Sequence, residues 1–152
     1  LKLFRITKPR YAQDLSGTGA KLTGGRWNPV GKAVLYTAGS SALGLLEHLT
    51  HLSVANLGLR FQLILIEIYA TPVSLLEDHV DPLPNDWKAN QALTQDYGRQ
   101  WVEEQYSPIL RVPSVHSPWE YNYLLNPAHP ELNVAIVDTS YYVYDDRFLK
   151  KA

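Results

Sequence analysis

The sequence predicts one domain that mixes strands with two amphipathic helices, and three observations predict it. The run FQLILIEIY, Phe61 to Tyr69, has a continuous apolar centre and ends in alternation, the strongest strand signal in the chain. Apolar residues recur at helical spacing at Ala42, Leu45, Leu46, Leu49 and Leu52, and Leu93, Tyr97 and Trp101 stand four apart on a second helical face. The length, 152 residues, is near that of one domain and is enough to bury a core without disulfides or metal.

Composition narrows the function. Hydrophobic residues at 45% and charged residues at 19% exclude disorder over most of the length. The net charge is -1, and Lys and Arg are scattered, so there is no electrostatic footprint for a nucleic-acid duplex or an anionic membrane. A small molecule or a protein partner is expected instead. The chain has no cysteine, which excludes disulfides, zinc thiolates and cysteine nucleophiles. The opening LKLFRITKPR lacks the apolar run and small-residue cleavage site of a secretory signal, so a cytoplasmic location is expected. The most apolar window, Phe61 to Ala70, is about half the length of a membrane-spanning helix.

In chain order, Leu1, Leu3, Phe4 and Ile6 surround Arg5 in an extended opening that stops near Pro9. Arg5 is either a solvated edge residue, the commoner case, or an inward charge with a carboxylate or ligand partner. Ser16 to Lys21, SGTGAK, matches neither the P-loop nor the dinucleotide fingerprint and is expected to be a plain loop. Gly24 to Gly31 form a second turn, followed by a buried strand over Ala33 to Thr37. The residues leave two readings of Arg26 open. It is a surface residue stacked on Trp27, or a guanidinium fork for an anion, brought close to a ligand by Gly24 and Gly25.

Ser40 or Ser41 caps the next helix. Leu43, Gly44, Glu47, His48 and His51 fall to one side of the expected buried stripe, and Gly44 leaves the surface before the Glu47 carboxylate bare. Glutamates so placed are most often exposed and paired with a residue such as His51. The segment EHLTH does not reproduce the HExxH metal arrangement, and no metal is expected. Phe61 to Tyr69 should be central in a sheet. Thr71 to Lys88, with Pro72, Pro82 and Pro84, is a surface excursion with a short helical turn at Val73 to His79. A helix over Asn90 to Gln105 follows, loosened by Gly98. Ile109 to Val112 is a short strand, Ser114 a turn residue without a GxSxG elbow, and Glu120 to Asn126 an aromatic-rich segment holding Asn122. Val134 to Asp138 and Tyr141 to Tyr144 are two last strands before a fraying end.

Five separated blocks together resemble the RES domain, the toxin half of the bacterial RES-Xre toxin-antitoxin systems, named for an arginine, a glutamate and a serine. They are GGRWN with Arg26, VLYTA with Tyr36, ALGLLEHLTH with Glu47, RVPS with Ser114 and EYNYLLNPAHP with Asn122. The blocks keep the family's order and approximate spacing, and the similarity runs from the FRI opening to YDDRFL. Arg5 lies in a matching block and is carried over as a site residue of lesser weight. The resemblance implies a single α+β domain over residues 1–152, similar to ADP-ribosyltransferase toxins, with a split, mainly antiparallel sheet and flanking helices around an NAD cleft. It implies an enzyme that takes NAD as its substrate, breaks the nicotinamide-ribose bond and so arrests growth, and an Xre-type helix-turn-helix antitoxin as partner. Arg26, Tyr36 and Glu47 are the expected catalytic residues, and Ser114, Asn122 and Arg5 the expected substrate-binding ones.

The acceptor of the ADP-ribosyl group stays open between water, phosphate and a protein. A non-catalytic module that binds a nucleotide or partner is the alternative of another class, favoured by the abundance of aromatic residues, 10 Tyr and 4 Trp among them.

Overall fold

A computed structural model describes residues 1–69 and 71–151. The chain forms two compact units. One comprises residues 1–14, 37–69 and 134–152, the other residues 15–36 and 70–133.

The first unit is built on strand β3 (Phe61–Ile68), where the sequence places its strongest strand; Ala70, the last residue of that apolar window, lies outside the described residues. β1 (Lys2–Thr7) pairs antiparallel with β3 from Lys2↔Glu67 to Thr7↔Gln62, and β7 (Val134–Tyr142) pairs antiparallel with its other side, with a bulge at Leu65/Ile66. β3 is therefore central, as its unbroken apolar middle requires. The expected break between two last strands is absent, because the bulge absorbs the irregularity and pairing continues to Tyr142. The closing segment Asp146–Lys151 is a 3-10 helix rather than a frayed end. β2 (Leu35–Ala38) starts two residues later than expected and pairs with β1 at Phe4↔Ala38.

Helix α2 (Ser41–Leu49) starts where the Ser40 hydroxyl accepts from the Leu43 N–H at 3.1 Å. Its packed face keeps part of the expected stripe, since Leu45, Leu49 and Leu52 pack against Phe61 and Tyr144. Leu43 and Gly44 are buried, Leu46 is 41% exposed and Ala42 is exposed. The helix rests on β1 through Gly44, where a Cβ would lie 3.8 Å from the Phe4 carbonyl oxygen and 3.7 Å from the Ala38 Cβ. Counting apolar residues overlooks Gly44 because glycine scores as neutral, although it is buried here with room for a methyl group at ordinary contact distance.

The second unit contains α1 (Thr18–Thr23), β4 (Val73–Leu75), α3 (Gln91–Glu104), β5 (Ile109–Pro113) and β6 (Tyr121–Leu125). Two expectations are corrected here. SGTGAK is not a plain loop: from Thr18 it turns into α1, with Lys21 N–H bonded to Gly17 O at 3.1 Å. The segment from Val73 is first a strand, parallel to β5, and only then a 3-10 turn over Leu76–Asp78. Three residues give too short a pattern for periodicity to register. β5 and β6 are antiparallel, with Val112 opposite Asn122.

Trp27, Trp101, Leu110, Val112 and Leu124 form the core of this unit. α3 begins at Asn90, whose side chain accepts from Leu93 N–H. Its buried residues are Thr94, Gly98 and Trp101, and Tyr97 packs against the same core, so the expected line holds at Tyr97 and Trp101 and is widened by Thr94 and Gly98. Gly98 does not loosen the helix. A Cβ there would fall 1.6 Å from the Trp27 carbonyl oxygen, so the glycine is what allows α3 to lie against that backbone.

The two helix glycines should therefore respond oppositely to alanine. Gly98→Ala is expected to lower stability by about 3 kcal/mol through overpacking against backbone. Gly44→Ala, whose Cβ meets only ordinary contacts, should be neutral or stabilising by up to about 1 kcal/mol. Urea denaturation of both variants checks the contrast.

Candidate active site

The turn that carries Arg26 is closed by Gly25 N–H donating to Asn28 O at 2.9 Å. Its centre is Asn28, 0% exposed, whose Nδ2 lies within bonding distance of Ala20 O (2.9 Å), Lys32 O (3.0 Å) and Pro29 O (3.2 Å). Its Oδ1 accepts from the Tyr36 hydroxyl at 2.7 Å, and the same hydroxyl accepts from Trp27 N–H at 2.9 Å. The space beside Gly25 is filled by this pair, since a Cβ would stand 2.7 Å from Tyr36 Oη and 2.8 Å from Asn28 Oδ1. Gly25 thus brings the backbone close to Tyr36 and Asn28, where the sequence suggested a ligand.

The remaining main-chain groups of the turn meet α3. Gly25 O accepts from Gln95 Nε2 at 2.8 Å and Gln91 Nε2 at 3.2 Å, and Arg26 O accepts from the Thr94 hydroxyl. Trp27 is 2% exposed and packs on Trp87 with ring centroids 5.9 Å apart, so it anchors the turn from below instead of stacking on Arg26 at the surface. Arg26 Nη1 donates to Lys88 O at 2.8 Å, which uses one of the five N–H groups of the guanidinium.

Tyr36 sits at the edge of this core. Burial raises its phenol well above the ordinary tyrosine value, outweighing the Trp27 and Asn28 backbone and the Arg26 charge, which act the other way. It stays protonated and serves the turn as both donor and acceptor. Asn122, opposite Val112 on β6, shares the sheet face of Val112 and Leu124. That face is the one packed by Trp27 and Tyr36. Ser114 follows β5 two residues after Val112 and is 2% exposed. Its hydroxyl accepts from His116 N–H (3.0 Å) and Ser117 N–H (3.2 Å), and its own N–H bonds Glu120 O at 3.2 Å. In the second unit Tyr36 and Asn122 thus lie on the Val112–Leu124 face of the β5–β6 ladder, with Ser114 just beyond β5 and Arg26 on the turn beside Trp27.

Arg5 and Glu47 belong to the first unit. Glu47 is half-buried on α2, one turn after Gly44, and not the exposed helix glutamate of the commoner case. Arg5 leaves β1 on the face opposite Phe4 by strand alternation, so the unit does not bring Arg5 and Glu47 onto one face of β1. Arg5 Nη1 donates to Tyr11 O at 3.2 Å. Burial lowers the pKa of its guanidinium, and attraction to Asp14 partly offsets that. His48 has a structural occupation: its Nδ1 lies 2.9 Å from the Tyr144 hydroxyl, which itself donates to Leu45 O, and the imidazole packs edge-on to Phe61. No group of three or more His, Asp or Glu positioned for a metal occurs among the described residues, and no helix among them is long and apolar enough to cross a membrane.

Sequence reasoning missed Gln91, Thr94 and Gln95, and undervalued Asn28. The signal was a polar line at i, i+3 and i+4 on a helix, which ordinarily marks a solvated face.

Three comparisons bear on this arrangement. Residues 2–146 match the model of the RES domain. A protein of Sphingobium sp. named Prs ADP-ribosylating toxin is 41% identical over 145 residues, covering 93% of this chain and 90% of that protein. A protein of Yersinia enterocolitica named Toxin Res is 36% identical, covering 97% and 99%. Among solved structures, the toxin-antitoxin complex MbcT-MbcA of M. tuberculosis contains a chain of similar fold, with a TM-score of 0.75 at 18% identity over 99% of this chain and 87% of that one.

Two measurements test this geometry. Tyr36→Phe leaves Trp27 N–H and Asn28 Oδ1 without their partner and should cost about 1–3 kcal/mol in urea denaturation. Burial and the neighbouring His51 lower the pKa of His48 below the ordinary histidine value, so the unfolded chain binds the proton more readily. The contribution of neutral His48 is complete above the unfolded pKa of about 6.5 and is lost as pH falls through the lower folded value. His48→Gln should flatten the pH dependence of thermal stability below about pH 6.5.

Proposed function

The chain belongs to the RES-domain family, and from that premise we propose that it is a toxin that consumes NAD by breaking the nicotinamide-ribose bond. Residues 1–152 are read as one such domain. The observation that carries the proposal is the Arg26 turn. Tyr36, Gln91, Thr94 and Gln95 are spent on its main chain, Asn28 ties it to Ala20 and Lys32, and the side chain this frame carries is Arg26. Fixed donors that need not reorganise suit an anionic ligand, and a pyrophosphate offers paired oxygens that an arginine fork matches and a lysine does not.

Nicotinamide is joined to ribose as a cation. When the bond breaks, its electron pair leaves with nicotinamide, which departs neutral, and positive charge is left on the ribose; no acid is needed for the leaving group. The protein's task is to hold the dinucleotide and to stabilise that charge. Arg26 grips the pyrophosphate, and Glu47 faces the ribose as the stabilising carboxylate. Ser114 and Asn122 hold the nicotinamide amide or the adjoining ribose. Tyr36 contributes by fixing the Arg26 turn, since both hydrogen-bonding directions of its hydroxyl are used there. Arg5 is a further substrate contact of lesser weight.

Water as acceptor makes the enzyme a glycohydrolase, phosphate a phosphorylase. A second reading, transfer to a protein side chain, is favoured by the name of the Sphingobium relative, an ADP-ribosylating toxin. The MbcT-MbcA complex supports an antitoxin as partner, here proposed to be of the Xre helix-turn-helix type and to carry the DNA-binding role, with toxin and antitoxin in the cytoplasm.

Glu47→Gln should lower the rate of nicotinamide release from NAD by two to three decades, about 2.7–4 kcal/mol, in a protein with unchanged circular dichroism. Loss of less than tenfold would remove Glu47 from the charge-stabilising role. Radiolabelled NAD incubated with a cell extract separates the acceptors: label on a protein band supports transfer, label in free ADP-ribose hydrolysis, and label in ADP-ribose 1″-phosphate phosphorolysis.

A further inference from the structure

Gln91, Thr94, Gln95 and Gly98 recur at i, i+3, i+4 and i+7 and so form one line along α3. Each meets the main chain of the arginine turn. Gln91 and Gln95 both donate to Gly25 O, whose two lone pairs are then occupied. The Thr94 hydroxyl donates to Arg26 O, and Gly98 leaves room for Trp27 O, which would stand 1.6 Å from a Cβ. Three consecutive carbonyls are thus read by one helix face. The same helix is preceded by Lys88, whose carbonyl braces Arg26 Nη1 at 2.8 Å, and Asn90 caps its first turn.

A loop can be fixed by burying its side chains, but that route would sacrifice the arginine. Holding the backbone leaves the guanidinium to project. The choice of donors follows the same logic, because amides and a hydroxyl bind a carbonyl without placing a second positive charge beside Arg26, where it would compete for an anion. We infer that this face of α3 is the positioning device that sets the aim of Arg26, with Gln91, Thr94 and Gln95 as positioning residues that act through it. The inference deepens the proposed function and rests on the reading of Arg26 as the pyrophosphate ligand. Since the bonds end on main chain rather than substrate, losing them should weaken the grip on NAD and leave the bond-breaking step nearly intact.

The test uses the full chain with Gln91→Met and Gln95→Met combined, which keeps side-chain length and removes the donors. Two readouts are taken: the order of the Arg26 Nε–H by 15N relaxation, assigned with Arg26→Lys, and steady-state kinetics of nicotinamide release from NAD. The expected result is a loss of Arg26 side-chain order, a KM for NAD raised about tenfold and a kcat within about threefold of the unaltered chain. In an Arg26→Ala background the same pair of substitutions should change KM by less than about twofold, the non-additivity that marks action through a shared partner. Thr94→Ser, which keeps the hydroxyl, should behave as the unaltered chain. Unchanged order at Arg26, or a KM penalty of the same size without Arg26, would overturn the inference. If Arg26→Ala by itself leaves the KM unchanged, the pyrophosphate reading fails, and the relaxation measurement alone still decides whether α3 positions Arg26. Should the double variant not fold by circular dichroism, Gln95→Met alone carries both readouts.

Discussion

The hydrogen bonds between α3 and the Gly25–Arg26 main chain organise the second unit. A five-residue turn rich in glycine has little reason of its own to keep one shape, because glycine gives up more conformational freedom on ordering than any other residue. Here the shape is imposed from outside. Gln91, Thr94 and Gln95 fix two carbonyls, Tyr36 fixes Trp27 N–H, and Asn28 ties the turn to α1 through Ala20 and to the strand that follows through Lys32. The burial of Trp27 beside Trp101 and Leu124 supplies the apolar part of the same anchor. A buried polar network of this kind is stable only when its members are satisfied together, which is why Tyr36, Asn28 and Thr94 cannot be considered one at a time.

The strands were legible in the sequence wherever one face or both were apolar over five residues or more. Phe61–Ile68 and Ile109–Pro113 emerged close to their expected positions, whereas Tyr121–Leu125 had been read only as an aromatic-rich segment. β4 was not legible, since a three-residue strand carries no period, and neither was α1, whose TGAKLT contains no apolar stripe. Both helix faces were legible only in part: Leu45, Leu49 and Leu52, and Tyr97 and Trp101, pack on the cores as expected, but further buried positions were missed. α2 and α3 pack through Gly44 and through Gly98 with Thr94, residues that count as neutral or polar in any hydrophobic pattern. At Gly98 the partner is the Trp27 backbone, and a contact between main chains leaves no apolar signature to read.

The site was legible in a different way. The identities of Arg26, Tyr36, Glu47, Ser114 and Asn122 came from a resemblance spread over separated blocks, and the match of residues 2–146 to the RES domain establishes that family. What the blocks could not convey was the division of labour among them. Tyr36 reads as a candidate ligand residue, yet its hydroxyl is bonded to Trp27 N–H and Asn28 Oδ1, which makes it part of the frame. Ser114 likewise closes a turn by accepting from His116 and Ser117 N–H groups. Tyr36 thus holds backbone in place beside the arginine, while the helix residues that complete the frame sit outside the quoted blocks altogether.

The central claim, that this chain breaks the nicotinamide-ribose bond of NAD, is tested most directly by one-dimensional proton NMR of the purified protein with NAD, first in phosphate-free buffer and then with phosphate added. The account predicts free nicotinamide accumulating in a catalytic excess over protein, together with ADP-ribose in both buffers for a hydrolase or with ADP-ribose 1″-phosphate only after phosphate for a phosphorylase. NAD that stays intact in both buffers and in the presence of a cell extract, while its resonances broaden on binding, would contradict the claim and leave a nucleotide-binding module in its place.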